Sequence, residues 1–75
     1  MSPLPDYRKV APARALLGWK QKTLAGRIGT SIWSVCQLER GNEKVPRALL
    51  FAAFGALRDA GIEFHDRGVS LREAA

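Results

Sequence analysis

Residues 21–39 read QKTLAGRIGTSIWSVCQLE, and their apolar spacing decides how the chain folds. Leu24, Ala25 and Ile28 recur at i, i+1 and i+4, and Val35 and Leu38 at i and i+3. Each set lies along one stripe of a helix with 3.6 residues per turn. Gly29 stands between the stripes, where a glycine can adopt the left-handed conformation that ends a helix. Ser31 follows as a favoured N-cap for the next one. The stretch predicts two short helices joined by a tight turn, a helix-turn-helix.

Outward from it the pattern continues. Ala13-Arg14-Ala15-Leu16-Leu17-Gly18-Trp19 reads as a preceding helix, with Pro12 suited to its first turn, Gly18 to its end, and Ala13, Leu16 and Leu17 as its inner face. Trp19 is placed to close the core from the connecting turn. After residue 39, Gly41 and Asn42 favour helix termination and a tight turn, and Pro46 opens a fourth helix over 46–60. That helix is apolar almost all round, through Leu49, Leu50, Phe51, Ala52, Ala53, Phe54, Ala56 and Leu57. It must therefore bury a second face, against the tail or another protomer.

The spacing Gln-x-x-Leu-Ala-x-x-x-Gly-x-Ser-x-x-x-Val-x-x-Leu-Glu over residues 21–39 resembles the lambda-repressor-like, XRE-type DNA-binding family. The resemblance spans residues 11–61, a dozen positions in one register without a gap. It implies an all-α fold of four short helices of the lambda-repressor-like helix-turn-helix type. It also implies that Arg14 pairs with Glu39 as an architectural ion pair. The first helix of the motif would abut a phosphate through Lys20, Gln21 and Lys22, where free backbone N–H groups and the helix dipole attract anions. On the far side of the groove, Asn42, Lys44 and Arg47 would grip the backbone.

The second helix of the motif is the one that would read bases. With Val35 and Leu38 inward, Ile32, Trp33, Cys36 and Gln37 occupy the face that can enter a major groove. Gln37 can pair with adenine N6 and N7, and Ile32 can pack on a thymine methyl. Ser34 is placed to reach a phosphate or the backbone. Trp33 departs from the short polar residues common at this position of the family. It would project into the groove, lie over a backbone sugar, or wedge between protomers.

The tail departs from the phage-repressor pattern, which has a fifth helix. Ile62-Glu63-Phe64 and Val69-Ser70-Leu71 alternate at period two about His65-Asp66-Arg67-Gly68, predicting a small C-terminal β-hairpin. Phe64 would face Val69 and Ile62 would face Leu71, with all four on one face. Residues 1–10, with Pro3 and Pro5 and no periodicity, read as a flexible arm; 11–61 form the DNA-binding domain; 62–75 form the hairpin.

Seventy-five residues make one domain, in the range where folding buries only about 60% of the unfolded surface. A lone Cys36 and a lone His65 supply neither a disulfide nor a four-ligand zinc site, so no metal and no cofactor is expected. Nor is an enzyme expected, since these two are the only nucleophile and base and nothing brings them together. No signal peptide or membrane span is legible, which makes a reducing cytoplasm the expected compartment and excludes a membrane partner.

Net charge is +5 and lopsided. Arg8, Lys9, Arg14, Lys20, Lys22, Arg27, Arg40, Lys44 and Arg47 are opposed over that interval only by Glu39 and Glu43. Such an excess suits a polyanion, through counterion release. The expected function is a sequence-specific double-stranded DNA-binding transcriptional regulator. It would act as a dimeric repressor or controller of a small operon of phage, mobile-element or antitoxin-like type, on a palindromic operator. The homodimer contact would use Leu49, Phe51, Ala52 and Ala56 of helix 4 with Ile62, Phe64, Val69 and Leu71 of the tail. The alternative is a protein-interaction module in which Ile32, Trp33 and Cys36 form an apolar docking patch.

Overall fold

The computed structural model describes residues 6–72 as a 3-10 turn at Tyr7–Lys9, four helices and one antiparallel hairpin. The helices are α1 (Val10–Leu16), α2 (Gln21–Ile28), α3 (Ile32–Glu39) and α4 (Arg47–Asp59), followed by strands β1 (Ile62–His65) and β2 (Gly68–Leu71). Gly29 ends α2 at φ 72°, ψ 36°, and the Thr30 amide donates back to the Ala25 carbonyl at 2.9 Å. Two residues on, Ser31 is extended and its Oγ accepts the Ser34 amide at 3.1 Å, capping α3. The turn is closed from both sides by bonds to its own backbone.

The core is one cluster drawn from every helix and from β1. Leu24 and Ala25 of α2 meet Val35 and Leu38 of α3, with Val10 and Ala13 from α1, Ala53, Phe54 and Leu57 from α4, and Ile62 from β1. Leu17, Trp19 and Ile28 pack at its edge. Leu16, expected inside, is 44% exposed. The reason is the helix start: α1 begins at Val10, so its inner face runs Val10, Ala13, Leu17 at i, i+3 and i+7, and Leu16 falls beside that stripe.

The expected arm over residues 1–10 is therefore helical from Tyr7, and its first five residues lie outside the described ones. Asp6 begins the turn, accepting the Arg8 amide at 2.9 Å and pairing with the Arg8 guanidinium. Hydrogen bonding from the Arg8 side chain, then from its backbone, holds the Asp6 carboxyl below its ordinary value. Tyr7 next lays its ring against Gly41, which at φ 78° follows the end of α3. A side chain at 41 would overlap that ring. Anchored this way, the segment delivers Val10 into the core.

Pro46 precedes α4 as its cap instead of beginning it, and the helix runs from Arg47 to Asp59. The hairpin pairs Ile62 with Leu71 and Phe64 with Val69 around a two-residue loop, Asp66-Arg67, in which neither residue has a positive φ. β1 lies on α4 and β2 on α1. Phe64 stacks on Phe54 with ring centroids 4.2 Å apart, and the Lys9 ammonium donates to the His65 carbonyl. The tail thus covers part of α4, while Phe51 and Ala52 of the same helix stay exposed. Among the described residues no helix is long and apolar enough to cross a membrane.

Of the residues expected at the dimer contact, Ile62 is wholly enclosed within its own chain. Leu49, Ala56, Phe64 and Val69 are half-buried against the same core. Only Phe51, Ala52 and Leu71 of that set are exposed. The four apolar hairpin residues do not share one fate: Ile62 is fully buried, Phe64 and Val69 are half-buried, and Leu71, the cross-strand partner of Ile62, is 47% exposed.

Candidate nucleic-acid interface

Burying Val35 and Leu38 turns the opposite face of α3 outward. Ile32 is 48% exposed and Trp33 67%, while Cys36 and Gln37 are half-buried beside them. The indole of Trp33 is the largest exposed apolar group of this helix. Ser34, expected to reach a phosphate, is half-buried with its Oγ 3.0 Å from that of Ser31, so its hydroxyl belongs to the helix cap.

Beneath this face the C-terminal end of α3 is tied to α1 and α2. Arg14 meets Glu39 through two parallel bonds, Nε to Oε2 at 2.8 Å and Nη2 to Oε1 at 3.1 Å, and its Nη1 donates to the Trp19 carbonyl at 2.9 Å. Gln21 Nε2 adds a bond to Glu39 Oε1 at 3.0 Å. With side-chain exposures of 18% and 9%, the pair is shielded from solvent, and the fork geometry fixes the orientation of α1 against α3. Gln21 also anchors the start of α2. One N–H of its amide is committed to Glu39 and the second is not taken by any described residue.

Four cations are exposed in the segments that adjoin α3 in the chain. Lys20 and Lys22 are exposed at the start of α2, whose first amides have no partners in the helix, and Lys44 and Arg47 are exposed across the loop into α4. Among the described residues none of these four makes an ion pair, whereas Arg8 and Arg14 do. Arg27 lies over the Trp19 ring at 4.9 Å and is spent on packing. The chain thus carries exposed positive charge without ion-pair partners, together with an exposed apolar helix face.

Asn42, expected to grip a phosphate, has its polar groups engaged within the chain. Its Oδ1 accepts the Lys44 amide at 3.0 Å, its Nδ2 donates to Gln37 Oε1 at 3.1 Å, and its own amide donates to the Gln37 carbonyl. Two features here escaped the sequence. The Tyr7–Gly41 contact joins residues far apart in the chain, and its only local signal is a glycine just past a helix end. The Asn42–Gln37 bond had a signal, an Asn following that glycine, but turn propensity explained the Asn without it. His65 is on β1, with its Nε2 2.8 Å from Ser70 Oγ. No protein-family model, no curated protein and no solved structure matches the chain.

Proposed function

We propose that the chain is a sequence-specific double-stranded DNA-binding transcriptional regulator of XRE-like helix-turn-helix type, in which α3 enters the major groove. The observation that carries this reading is the exposed α3 face, held by a cap at one end and an ion-pair network at the other, in a chain whose exposed Lys20, Lys22, Lys44 and Arg47 make no ion pair among the described residues. A groove-entering helix needs both: cations that neutralise phosphates and side chains able to touch base edges. The regulated unit is a small operon in the cytoplasm, of phage, mobile-element or antitoxin-like type. One such helix reads too few base pairs to select a site, so the working form is a two-fold homodimer on a palindromic operator. Phe51, Ala52 and Leu71 supply the exposed apolar area for that contact.

The test is titration of short duplexes at two salt concentrations. Tight binding to one palindromic site with a steep salt slope is expected, and equal affinity for every duplex rejects the proposal. Lys44→Ala and Arg47→Ala should weaken all sites alike and flatten the slope, whereas Gln37→Ala should relax preference at one or two base pairs. The second reading, a protein-docking module, is favoured by the exposure of Trp33 and Ile32. A stoichiometric protein partner without DNA retention would select it.

A further inference from the structure

The direction of the Gln37 amide follows from a backbone group. The Lys44 N–H can only donate, so the Asn42 atom facing it, at 3.0 Å, is the carbonyl oxygen. That places Asn42 Nδ2 on the other side, 3.1 Å from Gln37, and the Gln37 atom receiving it is therefore Oε1. Two amides are thus oriented in series by one main-chain donor, and the Asn42 amide bonded to the Gln37 carbonyl holds the loop in register. Gln37 Nε2 donates to no described residue and is not enclosed.

We infer that Asn42 is a positioning residue that holds Gln37 with its Nε2 donors free, favouring guanine over adenine at the base pair it meets. This rests on the proposed DNA-binding role. Guanine presents two acceptors, N7 and O6, to the major groove, and both suit the N–H groups of Nε2. Adenine presents N7 beside the N6 amino donor, so a bidentate contact needs Gln37 Oε1 as acceptor. Asn42 already takes one of that oxygen's two lone pairs and fixes its direction, leaving Nε2 as the end without a described partner. An unconstrained glutamine turns its amide freely to suit adenine; this one loses its Asn42 bond if the oxygen swings round to the base.

The experiment measures base preference with the full chain and a randomised palindromic duplex library, for the wild type and three variants. The wild type should prefer guanine at one position per half-site, and Gln37→Ala should abolish that preference. Asn42→Asp keeps an acceptor for the Lys44 amide but offers an acceptor to Gln37 as well. The Gln37 amide should then reverse, turning Oε1 outward and shifting the preference toward adenine or cytosine, whose amino groups donate. The change in base ratio should be on the order of tenfold. Combined with Gln37→Ala, Asn42→Asp should no longer alter the preferred base, which a purely structural role for Asn42 would not produce. If Asn42→Asp does not fold, Gln37→Glu carries the test, since it retains the bond from Asn42 and presents only acceptors; it should move the same position toward cytosine. A wild-type preference for adenine there, or guanine retained in Asn42→Asp and Gln37→Glu, overturns the inference. Absence of any sequence preference in the wild type overturns the proposed function itself, and is seen before any variant is made.

Discussion

At its N-terminal end α3 is held by short-range bonds, Ser31 Oγ to the Ser34 amide and hydroxyl, and then presents Ile32 and Trp33 to solvent. Its C-terminal end is held by residues distant in the chain: Arg14 and Gln21 on Glu39, and Tyr7 on Gly41. The first arrangement sets where the helix begins and leaves its side chains free; the second sets where the helix lies in the molecule. The two ends of this eight-residue helix are thereby held by different means, one local and one distant. The local end can be changed at small cost, and the distant end cannot.

Breaking the distant end should have the largest effect. Glu39→Ala leaves the Arg14 guanidinium enclosed with only the Trp19 carbonyl, and should lower unfolding free energy by about 3 kcal/mol or more in urea melts. Gly41→Ala comes next, at about 2 to 3 kcal/mol, because a left-handed backbone and a displaced Tyr7 ring add. The same change at Gly29, where φ is also positive but the space is open, should cost only about 1 kcal/mol. Adding Tyr7→Ala should recover part of the Gly41→Ala loss and none of the Gly29→Ala loss. If the two glycine variants melt together, the distant joint is not what distinguishes them.

At the local end, Ser31→Ala should cost about 1 kcal/mol and leave the rest of the structure in place, as read by amide chemical shifts confined to residues near the turn. The smallest effect belongs to Asp6, which supports the distant end by starting the turn that carries Tyr7. Its carboxyl is lowered by the Arg8 hydrogen bonds, so the folded state binds its proton less readily than the unfolded chain. Its contribution is complete above the unfolded value of about 3.9 and is lost as pH falls through the lower folded value. Stability of the wild type relative to Asp6→Asn should decline across that acid window and be constant above it.

The same division explains what could be read from the chain. Gly29, Ser31 and the apolar stripes of α2 and α3 act over one turn of helix, and the sequence carries their positions directly. The hairpin register followed from period two and a short loop. Val10 and Tyr7 were hidden behind Pro3 and Pro5, which suggested an arm, because Asp6 as a helix start is uninformative until Tyr7 has Gly41 to rest on. Ile62 reads like its strand partners, and only the docking of β1 on α4 distinguishes it. Asn42 was legible as a turn residue, but an amide's second partner cannot be inferred from turn chemistry.

The contact between α1 and the hairpin also bears on how the molecule assembles. The Lys9 bond to the His65 carbonyl spans 56 residues, and β2 lies on the first helix. Closing so long a loop loses more chain entropy than joining neighbouring helices. A two-stranded hairpin gains little until it is docked. The helices should therefore associate early, with the hairpin arriving last and opening first. In native-state hydrogen exchange, amides of 62–71 should exchange through a lower-energy opening than those of α2 and α3. Because Ile62 leaves with the strand, each such opening exposes the centre of the core, making the hairpin the point from which the molecule begins to unfold.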